Sequence, residues 1–177
     1  EQDRYWVNEC LNSLESKNLL NDLYLKRLND EAKELWNIST NMGLRMTSYY
    51  NTMKFIIELT WDKGDSLVGP ARGSATGFLS CYLLGITQLD PIQWNLPHWR
   101  HLTETRPELP DIDFDTQATR RKQILQAVKD VFGRDNVLNI ATFGTEGSKS
   151  SCLTACRGYR SEEFPDGIES DLSLIHK

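Results

Sequence analysis

Histidine and cysteine are scarce in this sequence, with three and four residues in a chain of 177. Cys10, Cys81, Cys152 and Cys156 are too few and too scattered for a disulfide framework, so they read as reduced, intracellular thiols. Cys152 and Cys156 could share one side of a helix as half a zinc site, but no nearby histidine or cysteine completes it. Long apolar runs are also missing, so nothing approaches a membrane span. The start, EQDRYWVNECL, has no basic segment followed by an apolar one and is not a secretory signal. Basic residues are not in excess: 20 Lys and Arg face 25 Asp and Glu, for a net charge of -5. That balance argues against a plain basic nucleic-acid binder, while leaving room for an enzyme whose acidic site is neutralised by metal ions. There is no repeat, low-complexity tract or evident linker. The first residue is Glu1 rather than methionine, and the chain reads as a processed or excised piece.

What is present is globular. Hydrophobic residues make up 39% and include five tryptophans, enough to build a core in one domain or most of one. Helical spacing places Trp6, Cys10 and Leu14 on one side of residues 3–17. In LYLKRLNDEAKELWNIS, Leu25, Leu28, Leu35 and Trp36 make an apolar stripe, and Gly43 ends the helix. SYYNTMKFIIELTWDKG reads as a third helix closed by Lys63 and Gly64. SLVGP, PDIDFD and VLNIATFG read as short strands, and SATGFLSCYLLGI as a helix that begins at a serine. LDPIQWNLPHW is loop, broken by two prolines. ATRRKQILQAVKDVFG is an amphipathic helix with Ile124, Val128 and Val131 on its apolar face, and EGSKSSCLTACRGY is helical. The fold class expected is α+β, a small sheet packed with helices.

Two stretches carry chemistry. On a strand, alternate side chains point the same way, so Asp111, Asp113 and Asp115 of PDIDFD would share one face while Ile112 and Phe114 enter the core. Carboxylates crowded on one edge form a hard oxygen site suited to Mg²⁺. An EF-hand loop would need glycine and glutamate where Thr116 and Lys122 stand, so that reading fails. A helix cap at Asp115 or Thr116 and a solvated acidic edge remain open. The second stretch is GPARGSATG, residues 69–77. Its glycines allow backbone N–H groups to approach a ligand, and a helix starting near Gly73 and Ser74 would present its positive end to phosphate, with Arg72 as an added cation. No Lys-Ser or Lys-Thr pair follows at Walker spacing. A phosphate cradle beside paired carboxylates is the arrangement used for nucleotidyl transfer.

These stretches resemble a known family. VGPARGSATGFLSCYLLGITQLDPIQWNL, then WRHLTETRPELPDIDFD, then VFGRDNVLNIATFGTEGSKSS are similar, in order and spacing, to the C-family bacterial replicative DNA polymerases, the DNA polymerase III alpha subunits. The helices before them, NECLNSLESKN and YLKRLNDEAKELWNISTNMG, share the likeness, which covers nearly the whole chain. The resemblance implies a palm domain of the polymerase-beta-like nucleotidyltransferase superfamily. Residues 1–64 would be a helical lead and 65–177 an incomplete palm core. It implies two Mg²⁺ ions held by the catalytic residues Asp111 and Asp113, with Asp115 in a lesser role. Arg72, Gly73, Ser74, Arg100, Lys149 and Arg157 would bind the triphosphate of a dNTP. His101, beside Arg100, is assigned no chemistry.

The implied activity is template-directed DNA synthesis on primer-template DNA in DNA replication. The parent protein would be cytoplasmic, nucleoid-associated during replication, with replisome partners such as a sliding clamp. The family's third aspartate would fall beyond this chain, since EEFPDGIESD is turn-like, and the isolated chain would be inactive. Ala71, Phe78, Leu153 and Thr154 depart from the family pattern and suggest a divergent branch. A non-catalytic interaction module, a degenerate polymerase relative and a metal-dependent phosphodiesterase are the alternatives. Arg120, Arg121 and Lys122 could touch a nucleic-acid backbone or form a solvated helix face.

Overall fold

The structure is a computed structural model that describes residues 1–99, 103, 109–140 and 143–158, without the side chain of Arg157. It divides into two compact units, Glu1–Val137 and Leu138–Lys177.

The first unit is built on helices. α1 (Gln2–Ser16) buries Trp6, Cys10 and Leu14, the stripe that the sequence spacing predicts. α2 (Asp22–Met42) opens on Asn21, whose side chain accepts from the Leu23 and Tyr24 N–H groups, and closes on Gly43 at φ 64°. α2 turns a face somewhat different from the expected one inward. Leu28 and Leu35 are buried with Tyr24, Glu31, Ala32 and Ile38, while Leu25 and Trp36 are partly exposed. α3 (Met46–Asp62) ends at Lys63 as expected and buries Met46, Tyr50 and Ile57. α1 packs on α3 and on the short α4 (Leu79–Leu83), and α2 packs on the same two helices. Trp6, Leu14, Ile38, Tyr50, Phe78 and Leu79 fill the centre. Tyr24 Oη donates to Asp90 at 2.6 Å, which ties the Pro-rich loop to α2. α5 (Arg121–Phe132) leans on α3, with Phe55 and Phe132 edge to face at 5.9 Å. Its most buried residue is Ala127, with Ile124 and Val128 half-buried and Val131 exposed.

The expected α+β architecture, a palm with a small sheet, is overturned. The described residues are mainly helical and contain no sheet; an isolated antiparallel bridge, Val68–Thr116, joins SLVGP to the residue that follows PDIDFD. The cause lies in competition for backbone donors. Gly69 N–H reaches Asp115 O at 2.8 Å, but the next donor, Leu67 N–H, goes to the Gln117 side chain, and Gln117 N–H goes to Ser66 Oγ. Side-chain oxygens thus end the ladder after one step. The helix expected over SATGFLSCYLLGI is likewise broken, into a 3-10 turn at Ser74–Gly77 and the five-residue α4. Neither Asp115 nor Thr116 caps a helix; a 3-10 turn at Ala118–Arg120 precedes α5 with no side-chain cap.

In the second unit, α6 (Ser148–Gly158) forms within the expected helical stretch. The described part of VLNIATFG is not a strand: Leu138, Ile140 and Phe143 are exposed and their backbone has no ladder partner among the described residues. An unpaired strand has little stability of its own. EEFPDGIESD lies outside the described residues.

Candidate active site

The acidic segment is extended even without a sheet, and its alternation survives. Asp111, Asp113 and Asp115 are exposed, Ile112 is buried in the core, and Phe114 packs against that core. The apolar pair anchors the segment, which leaves three carboxylates displayed outward. Its backbone is held from other elements. Tyr49 Oη of α3 donates to Pro110 O at 2.8 Å, Ser74 Oγ donates to Asp111 O at 2.7 Å, and Gly69 N–H donates to Asp115 O at 2.8 Å. Burial raises the pKa of the Tyr49 hydroxyl, the backbone of Ile112 opposes that, and the charges of Asp111 and Asp113 add to it. Tyr49 therefore stays a protonated donor in the neutral range. Tyr50 beside it is buried core.

The turn of residues 69–74 runs beneath the carboxylates. Gly73 sits at φ 59° and ψ -148°, a conformation open to glycine. A Cβ there would stand 3.1 Å from Asp113 Oδ2, and one at Gly69 would stand 3.0 Å from the Asp115 Cβ. The glycines are needed for close approach to the aspartates as much as for a ligand. Between them, Arg72 Nη1 lies 2.6 Å from Asp115 Oδ1 and its Nε lies 3.9 Å from Asp113 Oδ2. The hydrogen bond to Asp115 and the nearby carboxylate charges raise the Arg72 pKa.

The α-helix expected to start near Gly73 and Ser74 starts instead at Leu79, and its first N–H groups are used internally. Glu31, fully buried on α2, accepts from Leu79 N–H at 2.7 Å and Ser80 N–H at 2.9 Å, the first donors of α4. Arg27 holds Glu31 at 2.9 Å and donates to the carbonyls of Gly77 and Leu96, both at 2.8 Å. The α4 dipole is therefore met by a carboxylate of the protein itself. Sequence reasoning missed this clamp, because a glutamate in a charged helix reads as solvated. It also missed Tyr49 as the support of the acidic segment.

Asp111, Asp113, Arg72, Gly73 and Ser74 are thus brought together. Lys149 lies on α6 in the second unit; Arg100 and the Arg157 side chain lie outside the described residues. Arg120 of the basic run is paired with Asp65 at 2.7 Å, while Arg121 and Lys122 are exposed. A cavity of about 260 Å³ between α2 and the loop at 91–98, lined in part by Arg27, Asp30 and His98, includes none of the carboxylates. No cluster of three or more metal-binding side chains occurs among the described residues. Asp111 and Asp113 offer the donor type a divalent cation takes, carboxylate oxygen. Both are exposed hard-oxygen donors on one side of the segment, and the Arg72 guanidinium already rests against Asp113 as a positive counter-charge.

Paired exposed carboxylates thus stand over a glycine turn. The sequence specifies the family. Residues 4–172 match the bacterial DNA polymerase III alpha NTPase domain, and the chain belongs to that family. It is 49% identical over 183 residues to a probable DNA polymerase YorL of Bacillus subtilis (strain 168). It is equally similar to a DNA-directed DNA polymerase of Bacillus phage SPbeta. The alignments cover 98% of this chain and 14% of each relative. DNA polymerase III subunit alpha of Staphylococcus aureus (strain N315) is 39% identical over 141 residues, covering 80% of this chain and 13% of the relative. The chain therefore spans about 14% of the length of the first two relatives. No helix among the described residues is long and apolar enough to cross a membrane.

Proposed function

We propose that this chain supplies the two-carboxylate part of a DNA polymerase active site, and that its parent protein extends primer-template DNA with dNTPs. The observation that carries this reading is the seating of Asp113 against Gly73, with Asp111 joined to Ser74, in a chain of the polymerase III alpha family. Asp111 and Asp113 would hold Mg²⁺. When bound, Mg²⁺ lowers the pKa of a primer 3′ hydroxyl and offsets charge on the triphosphate and the leaving pyrophosphate.

The chain's own residues do the positioning. Ile112 and Phe114 anchor the segment, and Tyr49 and Ser74 fix its backbone, so the backbone that carries the carboxylates is set before binding. Gly73, with no side chain of its own, lets the Asp113 carboxylate lie against the turn. Arg72, Ser74 and, by the family resemblance, Arg100, Lys149 and Arg157 would meet the triphosphate. Residues 65–177 would carry these site segments, and 1–64 the helical lead that supports them. Template pairing supplies sequence information, so little base-edge reading is required of the protein. The parent acts in DNA replication at cytoplasmic DNA, where a sliding clamp is a suitable partner.

Primer extension with Mg²⁺ tests the reading. The parent should lengthen a labelled primer. Asp111→Asn and Asp113→Asn should each lower the rate by about 100-fold or more, since several kcal/mol of charge stabilisation are lost. The isolated chain should not extend primers. Shortening of the DNA would point to hydrolysis instead, and extension by both variants at the parental rate would remove the aspartates from the chemistry.

A further inference from the structure

We propose that Arg72 and Asp115 form a charge latch on the carboxylate site, in which Asp115 is a positioning residue that parks the guanidinium against Asp113 when no divalent cation is bound there. The inference rests on the reading of Asp111 and Asp113 as the cation-holding pair and adds a control on that pair.

The geometry is specific. Asp115 Oδ1 takes the short contact with Arg72 at 2.6 Å, whereas Asp113 Oδ2 is reached only at 3.9 Å. One guanidinium thus spans two of the three carboxylates and favours the outer one. Asp115 is aimed at this task from both sides. Its carbonyl is fixed by Gly69 N–H at 2.8 Å, and its Cβ stands over Gly69, 3.0 Å from where a Cβ of that residue would be. Asp113 is seated in the same way over Gly73, and Arg72 is carried by the turn between the two glycines. Gly69 thus faces Asp115 and Gly73 faces Asp113, and the arginine from between the glycines reaches both carboxylates.

A cation shared by Asp111 and Asp113 would face the guanidinium across Asp113. Like charges at that range repel, so metal binding and the Arg72–Asp113 approach oppose each other. Asp115 gives Arg72 an alternative anchor, which keeps the arginine beside the site while Asp113 is surrendered. All three side chains are exposed, so the competition is screened and its size falls with salt.

The test is Mn²⁺ binding to the chain, residues 1–177, followed by the loss of the free-ion electron paramagnetic resonance signal. Arg72→Gln should tighten Mn²⁺ about twofold to fivefold at low ionic strength, a gain that shrinks as salt is added. In the Arg72→Gln background, Asp115→Asn should change the affinity by less than about threefold, as expected for a charge that is near the ion without ligating it. Unchanged or weaker binding by Arg72→Gln overturns the latch, as does the absence of saturable binding in both the unaltered chain and Arg72→Gln. A loss of about tenfold or more on adding Asp115→Asn makes Asp115 a ligand and overturns its positioning role. Asp111→Asn separates the two levels of inference: if it binds Mn²⁺ as well as the unaltered chain, the assignment of the carboxylate pair fails, whatever Arg72 does.

Discussion

Gly73 joins backbone conformation to the placement of a carboxylate. At φ 59° and ψ -148° an L side chain is strained, and its Cβ would press on Asp113 Oδ2 at 3.1 Å. Ile112 and Phe114, packed into and against the core, hold the Asp113 backbone in place, so relief of the contact falls to rotation of the exposed carboxylate, while the backbone strain at Gly73 remains. Gly73→Ala should therefore destabilise the chain by about 1–3 kcal/mol, the usual size of a strained backbone position. It should also weaken Mn²⁺ binding, because the displaced oxygen belongs to the cation pair. Urea denaturation and Mn²⁺ titration of the same variant check both effects. Normal stability with normal Mn²⁺ affinity would mean that the turn adapts and that Gly73 does not fix Asp113. The need for glycine at this position was legible in GPARGSATG, but its main neighbour was not. The sequence pattern suggests an approaching phosphate, and the structure supplies an approaching aspartate.

At the scale of elements, α4 is too short to hold itself. Five residues give few internal hydrogen bonds, and helix nucleation is costly. Glu31 compensates by binding both leading N–H groups of α4, and Arg27 completes the clamp through Gly77 and Leu96. Glu31→Ala would strand a largely buried guanidinium and two backbone donors. A loss of about 3–5 kcal/mol follows for breaking a buried pair from one side. Urea unfolding measures it, and a loss under about 1 kcal/mol would show that the pair adds little net stability there. Helices α1 and α2 were readable because an apolar stripe at a period of 3.6 is a local signal. The inward role of Glu31 was unreadable, since burial of one glutamate depends on which helix end reaches it. Strand pairing failed for a related reason. PDIDFD alternates as a strand should, but Gln117 and Ser66 captured the donors that a sheet would have used.

At the scale of the molecule, family membership was the most legible property, because co-linear motifs from residue 68 to residue 151 are read without knowing what contacts what. The α+β class was the least, because a sheet is a relation between segments and these segments form one bridge. Every contact described above as holding Asp111–Asp115 comes from residues of Glu1–Val137: Tyr49, Gly69, Arg72, Gly73 and Ser74. The hydrophobic core also lies in that unit. A chain ended after Val137 should therefore keep the urea midpoint of the longer chain. It should bind Mn²⁺ with an affinity within about twofold, the margin expected when sites contribute independently. Loss of binding by more than about tenfold with an unchanged midpoint would assign part of the cation site to residues after Val137, because the fold would be intact and the ligand set would not. A lowered midpoint would instead give those residues a share in the stability of the helical unit. Measuring both quantities on one sample separates a missing ligand from a missing support.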